Sequence, residues 1–583
     1  MEKTDLDSEK SVIDQKSSSN ETVANEEKSK GVIHMEAVSS TLTPMSLFML
    51  LFGIFLVSYA YSLDSKTRTV FQTYATNDFG KHSLLSTLNI VKSVGAAAIQ
   101  PPLSKAANIF GRFEIVTFGV VLYIIGTVIE ACSTNIQTFA GGQVLWVMGY
   151  RAFQLLFEIV IADVTTTRDR LLYTNIPRLS TLINTWVSGN ITALIMDSSH
   201  WKWGVGIWAA IIPVVAVPIY LSLFLTARKA KKQGKLDNVQ SIFTGKNLWE
   251  NIVILYWHFD VIGLLLIAAI LCLLLIPLTI AGGTSSRWGH ADVISMLVIG
   301  VLCLPAFVIW EVKFAKYPCI PFSLLKNRAI LTCFAIGILT NLIWMIPTEF
   351  LYTVLVVSFD ESIASATRII SLYSFMSVIS GLIAGLIVRY TRRIKWVTVS
   401  GTLLYMLGLG LMIKYRTTLD NGKVGVIAAQ IVLGTAAGLI PYPVQAHIQI
   451  ETKHEHVAII TAVYLTMRHV GSALGNTIAG VIWTNTLPQK LVENFNAAAI
   501  NNATALAREA YKSPLTFIKP YPMGAPERMA IISAYESTQK ILTITGCCIA
   551  IPMVIAAFTL SNPLLGDTQS LPNKENNEEE VKN

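Results

Sequence analysis

Between residues 44 and 560 apolar runs alternate with short polar segments, and a run of about 20 residues crosses the roughly 30 Å hydrocarbon core as a helix. Fourteen runs can be marked: 44–63, 84–104, 113–133, 138–160, 172–195, 204–226, 261–280, 292–311, 329–350, 366–388, 396–415, 424–448, 456–484 and 539–560. Asn135, in the polar cluster STNIQT, divides 113–160 into two. The run 456–484 carries Gly471, Gly475 and Gly480, small residues that let membrane helices approach closely. The pattern predicts an all-α polytopic membrane protein. Its longest polar segment, 485–538, lies between the last two runs and contains SPLTFIKPYPMGAPER. Residues 1–40 and the stretch from about Asn562 onward are polar and read as solvated tails, not as a cleavable signal.

Charge fixes the expected orientation. Only 14% of residues are charged, against about 25% in a soluble chain. The Lys and Arg residues behind the net charge of +8 gather in short loops, so they report topology and give no nucleic-acid signal. ARKAKKQGK follows the sixth run, Lys313, Lys316, Lys326 and Arg328 follow the eighth, and RYTRRIK follows the tenth. These loops share one side if the runs alternate, whereas opposite short loops carry few cations, Lys202 in one and Arg287 in another. The positive-inside rule then places both tails in the cytoplasm. Seven cysteines read as small apolar side chains, none with the spacing of a metal or redox site. TGK at Thr244–Lys246 is no phosphate loop, and no Ser/His/Asp set or metal-ligand cluster is present. The composition argues against an enzyme and implies no cofactor.

A charge at the centre of a membrane helix costs roughly 2.5–3.5 kcal/mol on insertion scales and is kept for a pathway or a partner. Lys92, Arg151, Arg468 and His469 fall near mid-depth of their runs. Arginine cannot shed its charge, so Arg151 and Arg468 are expected to line a central cavity. Asp64, Glu130 and Glu349 fall near run ends, where Glu130 and Glu349 read as reaching toward the interface. Glu158 and Asp163 lie toward the cytoplasmic end of the fourth run, and His447 near the inner end of the twelfth, where it reads as a satisfied polar residue. Proton coupling is expected from groups that titrate near neutrality, Glu158 and His469.

Longer motifs go further. In PLSKAANIFGRFE, Gly111 and Arg112 match a gating signature of major-facilitator transporters, with Asn108 where that signature has an aspartate. YAYSLDSKTRTVFQTYAT, INTWVSGNIT, WKWGVGIWA, GLIPYPVQA, GSALGNTIAGVIWT and SPLTFIKPYPMGAPER resemble the fungal siderophore-iron transporters. The resemblance implies a major-facilitator fold: tail 1–43, a six-helix half 44–226, loops and two inserted spans within 227–328, a second half 329–560, and tail 561–583. It implies alternating access around a central site and a ferric chelate as substrate, with protons as the coupling ion, at the plasma or an endosomal membrane. Lys92 is expected to bind substrate, although its motif is shared with that family and suits helix packing or gating as well. Phe517, Tyr521 and Arg528 offer aromatic surface and a cation and are expected to recruit substrate, the alternative being that their segment caps the outer helix ends. Relatives in that family exchange glutathione for protons or handle the iron pigment pulcherrimin. Arg151, His447 and the pair Arg468-His469 depart from the family's small or neutral residues, which favours an anionic chelate such as pulcherrimin. A glutathione/proton exchanger is the first alternative, drug export a second, and a non-transporting iron-chelate receptor the alternative of another class.

Overall fold

The structure, a computed structural model, describes residues 43–164, 176–233, 247–281, 288–317, 327–415, 422–451 and 457–562. The side chains of Asn108 and Asp163, Cys319, Lys326, Arg287, the Thr244–Lys246 motif and nearly all of both tails lie outside the described residues. The described residues are built from helices. In the first half these are α1 (Pro44–Asp78), α2 (Leu85–Ile109), α3 (Arg112–Ala131), α4 (Ile136–Val164), α5 (Ile176–Ser198), and a sixth rod made of α6 (Trp201–Gly206) and α7 (Trp208–Lys232). A connecting helix α8 (Leu248–Phe259) leads to the inserted pair α9 (Val261–Ile280) and α10 (Ala291–Ile309). The second half comprises α11 (Arg328–Thr348), α12 (Leu351–Ser358), α13 (Ile363–Thr391), α14 (Lys395–Lys414), α15 (Gly422–Gly438), α16 (Pro441–Ile450), α17 (Val457–Ala497), α18 (Ala503–Lys512), α19 (Pro514–Phe517) and α20 (Pro526–Thr559).

One apolar core, around Ile54, Tyr123 and Phe153, lies within the first half, and a second, around Ile343, Leu433 and Tyr535, fills the second half and takes in Val70, Leu85, Ile90, Val94 and Ala97 of the first. Two helix pairs join the halves: α2 packs on α17, and α5 packs on α13. Counted as rods, the second and fifth of one half meet the fifth and second of the other, the pattern that a two-fold relation between halves produces. The inserted helix α9 leans on both α2 and α17.

Eleven helices among the described residues are long and apolar enough to cross a membrane. Helices α2, α5 and α17 stand where three further spans are expected but are more polar, so length and composition do not establish fourteen crossings. The physical reason is their place. All three form the contacts between halves, where polar side chains meet protein rather than lipid.

Two expected boundaries are corrected. Helix α1 does not stop at 63: a Thr43–Ser46 capping box opens it and it runs on to Asp78, carrying the polar stretch DSKTRT into the bundle. Nor is 485–538 one long loop, because α17 continues to Ala497 and α20 starts at Pro526. Close approach of α17 and α11 depends on glycine. A Cβ on Gly471 would stand 2.2 Å from the Ile338 carbonyl oxygen, so any larger residue would push the helices apart.

The extension of α1 places a charged network inside the first half. Arg68 donates to Asp64 through Nε (3.0 Å) and Nη2 (2.9 Å), to Glu130 Oε2 through Nη1 (2.8 Å), and to Thr127 Oγ1 (3.1 Å). Tyr123 and Trp146 also donate to Asp64, and the guanidinium lies 4.6 Å from the Trp146 ring centroid. Asp64 is therefore a mid-helix group, and Glu130 does not reach the interface: both are fully buried. Removing one partner of a buried ion pair typically costs about 3–5 kcal/mol, since the remaining charge stays desolvated. Arg68→Met is expected to lower the thermal unfolding midpoint of the purified protein markedly, and adding Asp64→Asn with Glu130→Gln to recover part of the loss. An Arg68→Met protein melting like the wild type would show that the network contributes nothing.

Candidate functional site

A cavity of about 470 Å³ lies between the halves, walled by α1, α4 and α5 on one side and by α11, α13, α15, α16 and α17 on the other. Four cations line it, Lys66, Arg151, Arg178 and Arg468, together with His469 and one carboxylate, Glu158. Helix geometry explains the clustering. Arg151, Gln154 and Glu158 recur at three- and four-residue spacing on α4, and Arg468 and Ser472 do so on α17, so each set shares a face.

The two central arginines come from opposite halves. Arg151 Nη1 donates to Gln154 Oε1, and its guanidinium lies 5.3 Å from the Tyr150 ring centroid. Arg468 Nη2 donates to Asn341 Oδ1 at 3.3 Å. The Nε of each is buried without a hydrogen-bond partner, and among the described residues neither is ion-paired to a carboxylate. Glu158 instead faces Arg178, 3.7 Å from its Nη2. Arg178 also lies 3.9 Å over the ring of Tyr442, so this cation spans from the first half to the second. Trp344 and Tyr373 stack at 3.3 Å on the second-half wall and give it a flat aromatic face.

Arg151, Arg468, His469 and Glu158 are thus brought together, whereas four other expected site residues lie elsewhere. Lys92 is absent from the cavity wall and donates to Gln72 Oε1 at 3.4 Å. Gln72 Nε2 donates to Asn89 Oδ1 (3.1 Å), and Asn89 Nδ2 donates to Glu349 Oε1 (2.7 Å). This chain of donors runs from an ammonium on the first half to a carboxylate on the second. Glu349 is accordingly engaged across the halves and does not extend to the interface.

Phe517 is 4% exposed, stacked on Tyr521 and edge-on to Phe495. Arg528 is 3% exposed and bonds the carbonyls of Val357 (2.9 Å) and Val356 (3.2 Å) and the carboxylate of Asp360 (3.1 Å). These three side chains build a packed cap over the end of the second half. The cap is fastened to the first half at Asn77, which donates to Thr516, accepts from the Leu515 amide, and through its carbonyl accepts from Ser513. His82 adds a contact to Thr353 at 3.1 Å.

At the other end of α2, Gly111 opens α3 with φ 113°, a backbone region suited to glycine. Arg112 Nη1 donates to the Ala107 carbonyl at 2.8 Å, closing the α2–α3 turn. His447 is fully buried, with Nε2 2.8 Å from Ser561 Oγ. Lys66 and Arg178 were not among the expected site residues. Lys66 lay beyond the assumed end of α1, and Arg178 sits at the start of α5 beside Pro177, where a cation reads as a helix-end residue.

Residues 50–476 match the Major Facilitator Superfamily. The chain is 39% identical over 535 residues to siderophore iron transporter 1 of Saccharomyces cerevisiae, covering 91% of this chain and 83% of that one. It is 33% identical to siderophore iron transporter mirC of Emericella nidulans, over 91% and 87% of the two chains. The chain belongs to the siderophore iron transporter family of the Major Facilitator Superfamily. Among solved structures, this transporter resembles a peptide transporter in complex with alafosfalin (14% identity, 90% of this chain and 99% of that one, TM-score 0.56). It also resembles a bacterial homologue of the human lysosomal transporter Spinster in an inward-facing conformation (13%, 89% and 98%, TM-score 0.54). At these identities the likeness concerns the fold alone. The transporter is a multi-pass membrane protein of the all-α major-facilitator type.

Because Phe517 is buried in the cap, its removal should act on stability first. Truncating a buried Phe costs about 3–5 kcal/mol. Phe517→Ala is therefore expected to lower protein abundance and melting temperature. Normal abundance and melting combined with weak transport at low substrate would assign the ring to substrate recruitment instead.

Proposed function

We propose that the chain is a secondary transporter that carries an iron chelate, and that its cavity selects an anionic one. The observation that carries this reading is the pair Arg151 and Arg468, one guanidinium from each half, facing a shared cavity without a carboxylate partner among the described residues. In a setting where the effective dielectric is well below that of water, a bound oxyanion offsets part of the cost of holding both charges. Guanidinium also matches carboxylate geometry with paired donors. The Trp344–Tyr373 face suits the apolar or planar body of such a ligand. The siderophore named for the curated relatives supports the chelate class. Glutathione, also an anion, suits the same charges and is the competing substrate.

In this reading the halves rock about the cavity. The Lys92–Gln72–Asn89–Glu349 chain and the Asn77 fastening close the cap end. Arg178, between Glu158 and Tyr442, and the Gly111–Arg112 turn act at the opposite end. Coupling to protons runs through Glu158, with His469 beside it. The basic loops support cytoplasmic tails, and the membrane is the plasma or an endosomal membrane.

Uptake and efflux of labelled ferric chelates and of glutathione, in cells lacking other carriers, tests the substrate class. Arg468→Asn with His469→Ala should reduce transport of carboxylate-bearing chelates at least tenfold, the factor that about 1.4 kcal/mol of lost binding gives. Neutral hydroxamate chelates should be carried as well as before. Equal loss of both classes together with protein abundance would make the arginine structural. Glu158→Gln should bind substrate but lose accumulation driven by a pH gradient, and retained accumulation would remove Glu158 from the coupling. Glu349→Gln should open the cap end, raising the labelling of a cavity cysteine by an impermeant reagent several-fold, on the scale of typical conformational coupling. Unchanged labelling would show that this chain of donors is not a gate.

A further inference from the structure

Three Asn-x-Ser/Thr triplets occur in the chain: Asn20-Glu21-Thr22, Asn190-Ile191-Thr192 and Asn502-Ala503-Thr504. A triplet of this kind is an acceptor for N-linked glycan only where it is exposed on the non-cytoplasmic side. Asn20 precedes α1 on the tail side of the membrane and lies outside the described residues. Asn190 lies within α5, where its Oδ1 accepts a hydrogen bond from Arg368 of the opposite half, and Thr192 is fully buried. Neither meets the requirement.

Asn502 differs on every count. It is exposed, as is Thr504, and it initiates α18 with φ 58° and no side-chain capping bond. The residue thus stands on a turn with its carboxamide turned to solvent. Helix α17, 41 residues long, extends about 60 Å, roughly twice the hydrocarbon thickness. The segment after Ala497 is therefore carried clear of the membrane before α20 returns. It stands at the end reached by α1 at Asp78, opposite the tails, because Ser513 and Thr516 bond Asn77.

We propose that Asn502 is an N-glycosylation site, modified by transfer of an oligosaccharide from a lipid diphosphate donor. The Asn502 Nδ2 displaces the lipid diphosphate at the sugar's anomeric carbon and loses one proton, leaving an N-glycosidic bond. The site rests on the orientation given under the proposed function, and the test separates the two. The full chain, expressed in a eukaryotic cell, is treated with an amidase that removes N-linked glycans and compared by electrophoresis. Wild type and Thr504→Ser should drop by one discrete step, whereas Asn502→Gln and Thr504→Ala should migrate at the stripped position without treatment. A control Glu578→Thr makes an acceptor triplet at Asn576 in the C-terminal tail and should add no glycan. No step in wild type and none in the control would overturn the glycan while leaving the orientation standing. No step in wild type with a glycan on the control would overturn both. A step that survives Asn502→Gln would assign the glycan to another residue and overturn the proposal.

Discussion

A charge that leaves water must find compensation, and this chain resolves that demand in three ways within one bundle. Arg68 is ion-paired to both Asp64 and Glu130, bonds Thr127 and lies against the Trp146 ring, while Tyr123 and Trp146 donate to Asp64. Lys92 is compensated at a distance, through two amides that relay its polarity to Glu349. Arg151 and Arg468 are left to neutral partners. The gradation follows position. The satisfied network lies inside one half, the relayed pair crosses the junction, and the unsatisfied pair faces the cavity. The half, the junction and the cavity therefore differ in how their charges are answered.

The junction is arranged accordingly. Contacts between halves at the cap end combine hydrogen bonds of amides, hydroxyls, one imidazole and one carboxylate with apolar packing of Val70, Leu85 and Ile90 and the Tyr74–Tyr352 ring contact. At the cavity's other end the crossing contact is a cation on an aromatic face. The polar contacts among these are modest individually.

Much of the architecture was legible in hydrophobicity, because every expected run contains a helix. What escaped was polar sequence inside helices. DSKTRT reads as a connection by composition, yet Asp64 and Arg68 are one turn apart and satisfy each other, so the helix continues through them. The same blind spot hid Lys66. For the cavity, depth counting located Arg151, Arg468 and His469, since mid-depth charge has few other homes. Depth did not distinguish Lys92, which faces Gln72 instead, because rotation about a helix axis is set by neighbours that one sequence does not reveal. The motif SPLTFIKPYPMGAPER advertised an aromatic and cationic surface, but Phe517 and Arg528 are spent on internal packing and on carbonyl oxygens. Residue type was informative there and direction was not.

The inserted pair makes the two seams between the halves unequal. Helix α9 is wedged against α2 and α17, so that seam abuts protein along its flank. Among the described residues the seam between α5 and α13 has no such neighbour, and Ile183, Trp186 and Leu194 on one lip and Ile383 and Leu386 on the other are exposed. In the proposed rocking of the halves, one seam shears against a proteinaceous buttress and the other along these exposed apolar lips. On that reading bilayer thickness and lipid packing bear on the tilt mainly from the α5–α13 flank, and a carrier of nominal two-fold design becomes mechanically lopsided.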